Sequence, residues 1–155
     1  MAAPTAWAFY DDFHLRIADG TFDLDAAGTA LTMALFLSTS NFATVSTSVY
    51  GSLTNEVANG NGYLTGGAAL SSVTWTRTGG TAKLTAANTV WTASGTGIAG
   101  IRAAVIYANA TLNGVVKPLV CYSILDSTPA DLATIPSGFT LTIPMNASGT
   151  FTLAG

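Results

Sequence analysis

The single histidine is the first side chain in this sequence that could act as a general base. His14 follows Asp11 and Asp12, which could orient its imidazole ring. Nucleophilic catalysis also requires a Ser or Cys held beside such a base. The chain has no Gly-x-Ser-x-Gly turn to present one, and no Gly-Lys-Ser/Thr phosphate loop. We therefore interpret His14 as a surface histidine beside acids, and we predict that the protein is not an enzyme.

Metal and thiol chemistry are equally poorly represented. Asp19, Asp23 and Asp25 lie close together and carry the oxygen ligands that suit Ca²⁺. They lack the glycine and the terminal glutamate of an EF-hand loop, so carboxylates in a solvated turn are the expected interpretation. Cys121 is the only cysteine and lies in an apolar run, which predicts a small buried hydrophobe and not a reactive thiol. We predict no metal and no cofactor.

Charged side chains are scarce in the whole chain. Five Lys and Arg and eight Asp and Glu make up 8% of 155 residues, against roughly 25% in an ordinary soluble domain. Five basic residues cannot supply the phosphate contacts of a nucleic-acid-binding surface. The longest weakly polar stretch, residues 26–37, is too short to span a bilayer, and the N-terminus lacks the basic and apolar regions of a secretory signal. We expect a protein made in the cytoplasm with neither nucleic acid nor membrane as a partner.

Residues 1–25 form an acidic and aromatic arm. They hold five of the eight acids and four aromatic side chains in seven positions, namely Trp7, Phe9, Tyr10 and Phe13. Such a cluster is costly to leave in water, so it should pack on its own body or on a neighbouring subunit. We predict these four residues as contacts to another subunit or to a capsid. The arm should be a short helix or an irregular segment that ends near residue 20.

The elements that must position any site are predicted to be strands. Residues 29–37 form an apolar run of strand length, although a helix would also fit. Segments 70–76 and 81–85 flank a Gly-Gly turn and predict a hairpin. Phe139, Leu141 and Ile143 alternate with threonines and should share one buried face. Further strands are expected at 90–92, 101–107, 116–125 and 150–153.

Seven to nine short strands separated by Gly and Asn turns indicate an all-β fold. The predicted architecture is a single antiparallel β-sandwich or jelly-roll-like domain with at most minor helix. The arm at 1–25 precedes a β body at 26–155.

Several of these elements together resemble a known family. The resemblance is carried by Asn55-Glu56-Val57, by Gly62-Tyr63-x-x-Gly66-Gly67 and by Ala104-Val105-Ile106-Tyr107, followed by the closing run at 143–151. Their order is similar to that of small virion structural proteins of tailed bacteriophages, over most of the chain from about Phe13 onward. The segment 121–126 departs from the Asp-Phe-Gly-like strand end that is frequent in the family, and the loop at 127–137 is individual.

The resemblance implies a capsid decoration, or cement, protein. Such a protein would bind the major capsid protein on the outside of the phage head, as a homotrimer, within the virion. One alternative is a tail or fibre component that recognises the host through loops 39–48 and 128–137. Another is a carbohydrate-binding module that uses Trp75 or Trp91 as a stacking platform, although core packing is the expected role of both tryptophans.

Overall fold

The computed structural model describes residues 5–20, 22, 30–78, 81–126, 134–145 and 151–154, with the backbone alone at 77, 78, 81 and 151–154. Strands account for 40% of the structure, and one helix accompanies them, so the fold is all-β as predicted. The helix is α1 (Asp11–Ala18), and a 3-10 turn spans Tyr50–Ser52. The strands are β1 (Ala8–Phe9), β2 (Leu31–Phe36), β3 (Ala68–Ala69), β4 (Thr74–Thr78), β5 (Thr81–Thr85), β6 (Thr89–Thr92), β7 (Ala103–Ala108), β8 (Thr111–Leu112), β9 (Val115–Val116), β10 (Leu119–Ile124), β11 (Thr140–Ile143) and β12 (Phe151–Ala154).

A five-stranded antiparallel sheet forms the centre of the molecule, in the order β1-β10-β7-β2-β3. The longest ladder joins β2 to β7, with Leu31 opposite Ala108 and Phe36 opposite Ala103. All six residues of each of these two strands are buried. Burial on both faces explains why the sequence shows continuous apolar runs here and no alternation. The predictions of strands at 29–37 and 101–107 are confirmed by β2 and β7, whose bounds are Leu31–Phe36 and Ala103–Ala108, while Thr29 lies outside the described residues.

The central sheet separates two hydrophobic clusters. Met33, Leu35 and Ile106 face the larger cluster, to which the smaller sheets contribute Leu84, Trp91 and Leu141. The alternate side chains of the central sheet face the second cluster. Phe42, Tyr50 and Leu53 of the 37–55 segment pack against them there. The sheet residues on that side are Ala34, Phe36, Ala103, Val105, Tyr107 and Leu119. Side chains that alternate along one strand thus serve two different cores.

The smaller sheets are also antiparallel. β4 pairs with β5 as the predicted hairpin, and β12 pairs with the other side of β5. β6 pairs with β11, with Trp91 opposite Leu141. A short hairpin, β8–β9, follows β7 and turns at Asn113-Gly114. Both residues of this turn have positive φ, 43° and 84°, as a two-residue hairpin loop requires.

The described part of the arm, residues 5–20 and 22, packs on the same body. Strand β1 extends the central sheet along β10, and α1 follows directly. Arg16 bridges to Asp12 across one helical turn at 3.1 Å. The helix ends with Gly20 at φ 74°, the left-handed conformation in which glycine is favoured after a helix. No helix in the described residues is long and apolar enough to cross a membrane.

Two details of the strand predictions are wrong. Leu141 and Ile143 are buried as expected, but Phe139 is 64% exposed. It precedes the paired residues of β11, and its N–H donates to Pro136 in a turn, so it lies beyond the end of the core. The predicted strand at 116–125 is split into β9 and β10, because Lys117 has φ 49° and Pro118 cannot donate to a ladder.

Candidate functional site

The four predicted contact residues of the arm fall into two classes. Tyr10 and Phe13 have no exposed surface within a single chain. The Tyr10 hydroxyl donates to the Phe42 carbonyl at 2.7 Å, and Phe13 stacks on Phe9 with ring centroids 4.9 Å apart. Trp7 and Phe9 are half-buried against the larger cluster. Packing on the chain's own body therefore describes Tyr10 and Phe13, whereas a subunit contact through Trp7 or Phe9 stays a prediction.

The chemically suggestive residues of the sequence are not brought together. His14 is exposed, and its ring meets the edge of Phe9. Cys121 is wholly buried, and burial raises the pKa of its thiol well above the ordinary value. The described residues contain no group of three or more His, Cys, Asp or Glu that could hold a metal ion. Asp23 and Asp25, two of the three carboxylates considered above as Ca²⁺ ligands, lie outside the described residues.

The most developed polar cluster surrounds Glu56, the only glutamate of the chain. One carboxylate oxygen, Oε1, accepts from the Tyr63 hydroxyl at 2.6 Å and from the Gly66 N–H at 2.7 Å. The other, Oε2, accepts a short hydrogen bond from the Tyr50 hydroxyl. All three hydrogen bonds are charge-assisted because their acceptor is a carboxylate, and such bonds are stronger than those between neutral groups. We call Glu56, Tyr50, Tyr63 and Gly66 the Glu56 cluster.

The local backbone aims this carboxylate at its donors. Asn55 has φ 54°, and Glu56 makes an isolated antiparallel bridge to Phe36 at the end of β2. The Leu35 N–H donates to the Tyr63 hydroxyl at 3.0 Å, so this phenol is held from both sides. Gly67 closes the arrangement, because a side chain there would lie 1.9 Å from the Met33 carbonyl oxygen. The cluster therefore ties the 55–67 segment to the central sheet.

Two further side chains extend the cluster outward. The Tyr107 hydroxyl donates to the Gly66 carbonyl at 2.8 Å, and its ring stacks on Tyr50 at 4.3 Å. The ammonium of Lys117 lies 5.5 Å from the centre of the Tyr50 ring, within the range of a cation–π contact. This chain of contacts links the 50–67 segment to the start of β10.

The tyrosines of the cluster stay protonated over the ordinary pH range. Burial raises the pKa of both Tyr50 and Tyr63, and the hydrogen bond to the Glu56 carboxylate raises it further. Burial and the nearby carboxylate also raise the pKa of Tyr107. A protonated phenol donates and an ionised one cannot, so these shifts preserve the hydrogen bonds of the cluster. The arrangement is chemically suited to clamp a segment, and no nucleophile or histidine in the described residues joins it.

Sequence reasoning did not identify this cluster as a site, although its signal was present. Glu56 is the sole charged residue between positions 26 and 76. Three of the motifs that carry the family resemblance meet here, since they supply Glu56, Tyr63, Gly66 and Tyr107. Their spacing in the sequence reflects one set of hydrogen bonds.

A neutral cleft of about 250 Å³ is lined by residues of the segment that follows Glu56 and by residues 96–99. The buried side chains of Val57 and Ile98 line it, and Asn61 and Thr96 stand at its polar side. The Asn61 amide donates to the Thr96 hydroxyl at 3.0 Å and accepts from its N–H at 3.3 Å. None of the residues lining the cleft carries a charge. This cleft offers neither a catalytic group nor an ion-binding group.

The two tryptophans predicted to pack in the core do so. Trp91 is 5% exposed and lies against Tyr63, and Trp75 is half-buried against the same cluster. The apolar surface of the described residues is provided by other side chains, which are exposed by 38% to 71%: Leu15, Val45, Leu64, Val90, Val116 and Phe139.

Comparison with known proteins adds no relative. No protein-family model, no curated protein and no solved structure matches this chain.

Proposed function

We propose that the protein is a structural component of a tailed-bacteriophage virion, and that it decorates the capsid. In this role a homotrimer binds the major capsid protein on the outer surface of the head and stabilises the shell. The proposal starts from the motif resemblance described above. It is supported by the character of the molecular surface.

The observation that carries the proposal is the low density of charge on the folded surface. The chain exposes 7436 Å² and has thirteen charged side chains, which gives about 570 Å² per charge. An ordinary domain of this length, at roughly 25% charged residues, would have about one charge per 190 Å². Exposed charges keep a free protein soluble and monomeric. A surface with so few charges suits a protein whose surface is largely buried against other copies of itself or against a capsid shell.

The exposed apolar side chains support the same role. Leu64 is 71% exposed, yet the backbone on either side of it is held by the Glu56 cluster. An apolar side chain on a backbone that is already fixed costs little backbone entropy when a partner binds it. Binding to the assembled lattice, and not to unfolded chains, would stabilise the particle by mass action.

The body is proposed to be a β-sandwich related to the jelly rolls. Side chains of the central sheet and of the smaller sheets share the larger cluster, as the two facing layers of a sandwich do. Trp91 is buried in that cluster, which weighs against its use as a sugar-stacking platform.

The number of copies in purified virions tests the proposal directly. Quantitative mass spectrometry of the phage that encodes this chain would compare it with the major capsid protein. Hundreds of copies per particle are expected for a decoration protein. About three to twelve copies would overturn the decoration role and favour the tail.

The oligomeric state is tested separately by light scattering on the purified protein. A mass of three chains is expected. The Trp7→Ala and Phe9→Ala variants should weaken the trimer if these half-buried rings contact a neighbour, whereas Asp11→Ala, an exposed side chain on the same arm, serves as the control. A monomer that binds heads as a monomer would refute the trimer and leave the decoration role standing.

A further inference from the structure

The chain contains three Asn-Gly dipeptides, which differ in the hydrogen bonds and packing around them in the folded protein. They are Asn59-Gly60, Asn61-Gly62 and Asn113-Gly114. In such a pair the backbone nitrogen of glycine can attack the asparagine side-chain carbon, because no Cβ on the glycine hinders the approach. The attack requires a free N–H, an accessible amide and a backbone that can rotate.

At Asn59 the reaction is blocked by two hydrogen bonds. The side-chain oxygen of Asn59 accepts from the Thr65 N–H at 3.1 Å. The attacking atom, the nitrogen of Gly60, donates to the Tyr63 carbonyl at 2.8 Å. Both reacting groups are therefore engaged, and they are engaged in the turn that the Glu56 cluster holds in place.

At Asn61 the side-chain amide and the next backbone unit are both fixed. The amide exchanges two hydrogen bonds with Thr96, as described for the neutral cleft. Gly62 packs so closely that an added Cβ would lie 2.0 Å from the Thr92 carbonyl oxygen. Rotation of the peptide unit towards the attack geometry would break the hydrogen bonds and disturb this packing.

The described residues place none of these restraints on Asn113. Asn113 and Gly114 are exposed at the tip of the β8–β9 hairpin, and nothing lies within 4 Å of where a Cβ on Gly114 would stand. Among the described residues, neither the Asn113 amide nor the Gly114 N–H has a hydrogen-bond partner. The hairpin is short, with two residue pairs, and a rotation at its turn breaks no hydrogen bond of the Asn113 amide or of the Gly114 N–H.

We propose that Asn113-Gly114 is a site of spontaneous backbone modification in the folded protein. The Gly114 nitrogen bonds to the side-chain carbon of Asn113 and loses its proton to solvent. The amide nitrogen takes up a proton from solvent as its bond to that carbon breaks, so ammonia leaves and a cyclic succinimide remains. Water then opens the ring to aspartate or to isoaspartate, in which the main chain runs through the side-chain carbon.

The product matters on so sparsely charged a surface. Each event adds one carboxylate, which takes the formal net charge from −3 to −4. Isoaspartate also lengthens the main chain by one carbon in a two-residue turn, whose geometry is set by its length. Ageing of the folded protein should therefore produce an acidic form altered at this hairpin.

The test is a time course at mildly alkaline pH, read by peptide mapping that resolves all three sites. Each hydrogen bond that must break before attack should slow the reaction roughly fivefold. We expect Asn113 to react about 25-fold faster than Asn59 and Asn61. An isoaspartyl methyltransferase assay, and an acidic band on isoelectric focusing that Asn113→Ser abolishes, would identify the product.

Two controls make the inference refutable. In urea the three sites should react at similar rates, since each asparagine is followed by glycine. Thr96→Val, which removes the hydroxyl acceptor, should accelerate Asn61 and leave Asn113 unchanged. The proposal is overturned if Asn113 is no faster than the other two sites in the folded protein, or if its advantage persists in urea.

Discussion

Replacement of Glu56 by alanine should destabilise the fold by about 2–5 kcal/mol. The substitution removes the acceptor of three donors at once. Tyr63 is completely buried, so its hydroxyl cannot turn to water, and an unsatisfied buried donor costs about 1–3 kcal/mol. Tyr50 and Gly66 are half-buried and can recover water contacts, which limits their loss to about 0.5–1 kcal/mol each.

The Glu56→Gln variant separates charge from shape. Its side-chain oxygen can still accept from Tyr63 and Gly66, while its amide faces the Tyr50 hydroxyl, which can turn to accept. The loss is then the charge assistance of the hydrogen bonds, about 1–2 kcal/mol. Asp11→Asn is the matched control: it removes an exposed acid in the first turn of α1 and should cost about 0.5 kcal/mol.

The assay is urea unfolding followed by tryptophan fluorescence, with the midpoint and the m-value fitted together. A double-mutant cycle of Glu56→Gln with Tyr63→Phe should give a coupling energy of about 1 kcal/mol, since the two side chains share a hydrogen bond. The account is refuted if Glu56→Ala costs no more than Asp11→Asn, or if the cycle gives no coupling.

Three other perturbations test the fold. Phe13→Ala should lower the free energy of unfolding by about 3–5 kcal/mol because the ring is wholly buried. Leu15→Ala, at a side chain that is 64% exposed on the same helix, should lower it by less than about 0.5 kcal/mol. Equal losses in urea unfolding would contradict the packing of the arm. Gly67→Ala should lower the free energy of unfolding by more than about 3 kcal/mol, because Gly67 has φ +79° and an added Cβ would overlap the Met33 carbonyl. Gly51→Ala, in open space, should leave the thermal unfolding midpoint nearly unchanged. The free energy of unfolding should also fall above about pH 10, because burial raises the pKa of Tyr10 and Tyr63 above the unfolded value of about 10. The stabilisation by these protonated phenols is complete below that pH and is lost above it, at about 1.4 kcal/mol per pH unit for each. Phenolate absorbance that rises freely at pH 10 in the folded protein would contradict this.

The strands that sequence analysis located best are those whose residues are buried on both faces. β2 and β7 appear as continuous apolar runs because each side chain enters one of the two clusters. The β4–β5 hairpin was signalled by the Gly79-Gly80 pair in the sequence between its two strands. Phe139 shows the limit of alternation, which predicts a face of a strand but not how far the core extends along it.

The arm was harder to predict because its partners are distant in sequence. Tyr10 is buried through Phe42 and through the neighbouring β10 strand, which begins more than a hundred residues later. Aromatic content alone indicates that such a segment must be covered. It does not distinguish cover by the same chain from cover by another subunit.

The Glu56 cluster separates what holds this molecule together from what it presents to a partner. The residues that carry the motif resemblance are engaged with each other: Glu56 by three donors, Tyr63 on both sides, and Tyr107 through Gly66. These contacts hold the 50–67 segment on the central sheet and leave little chemistry for a partner. In the proposed decoration role, contact with a capsid would then come from side chains that these hydrogen bonds leave free, such as Leu64 between Tyr63 and Gly66. Leu64→Asp should accordingly abolish binding to heads while leaving the unfolding midpoint near that of the parent protein, and loss of both together would place Leu64 in the fold instead.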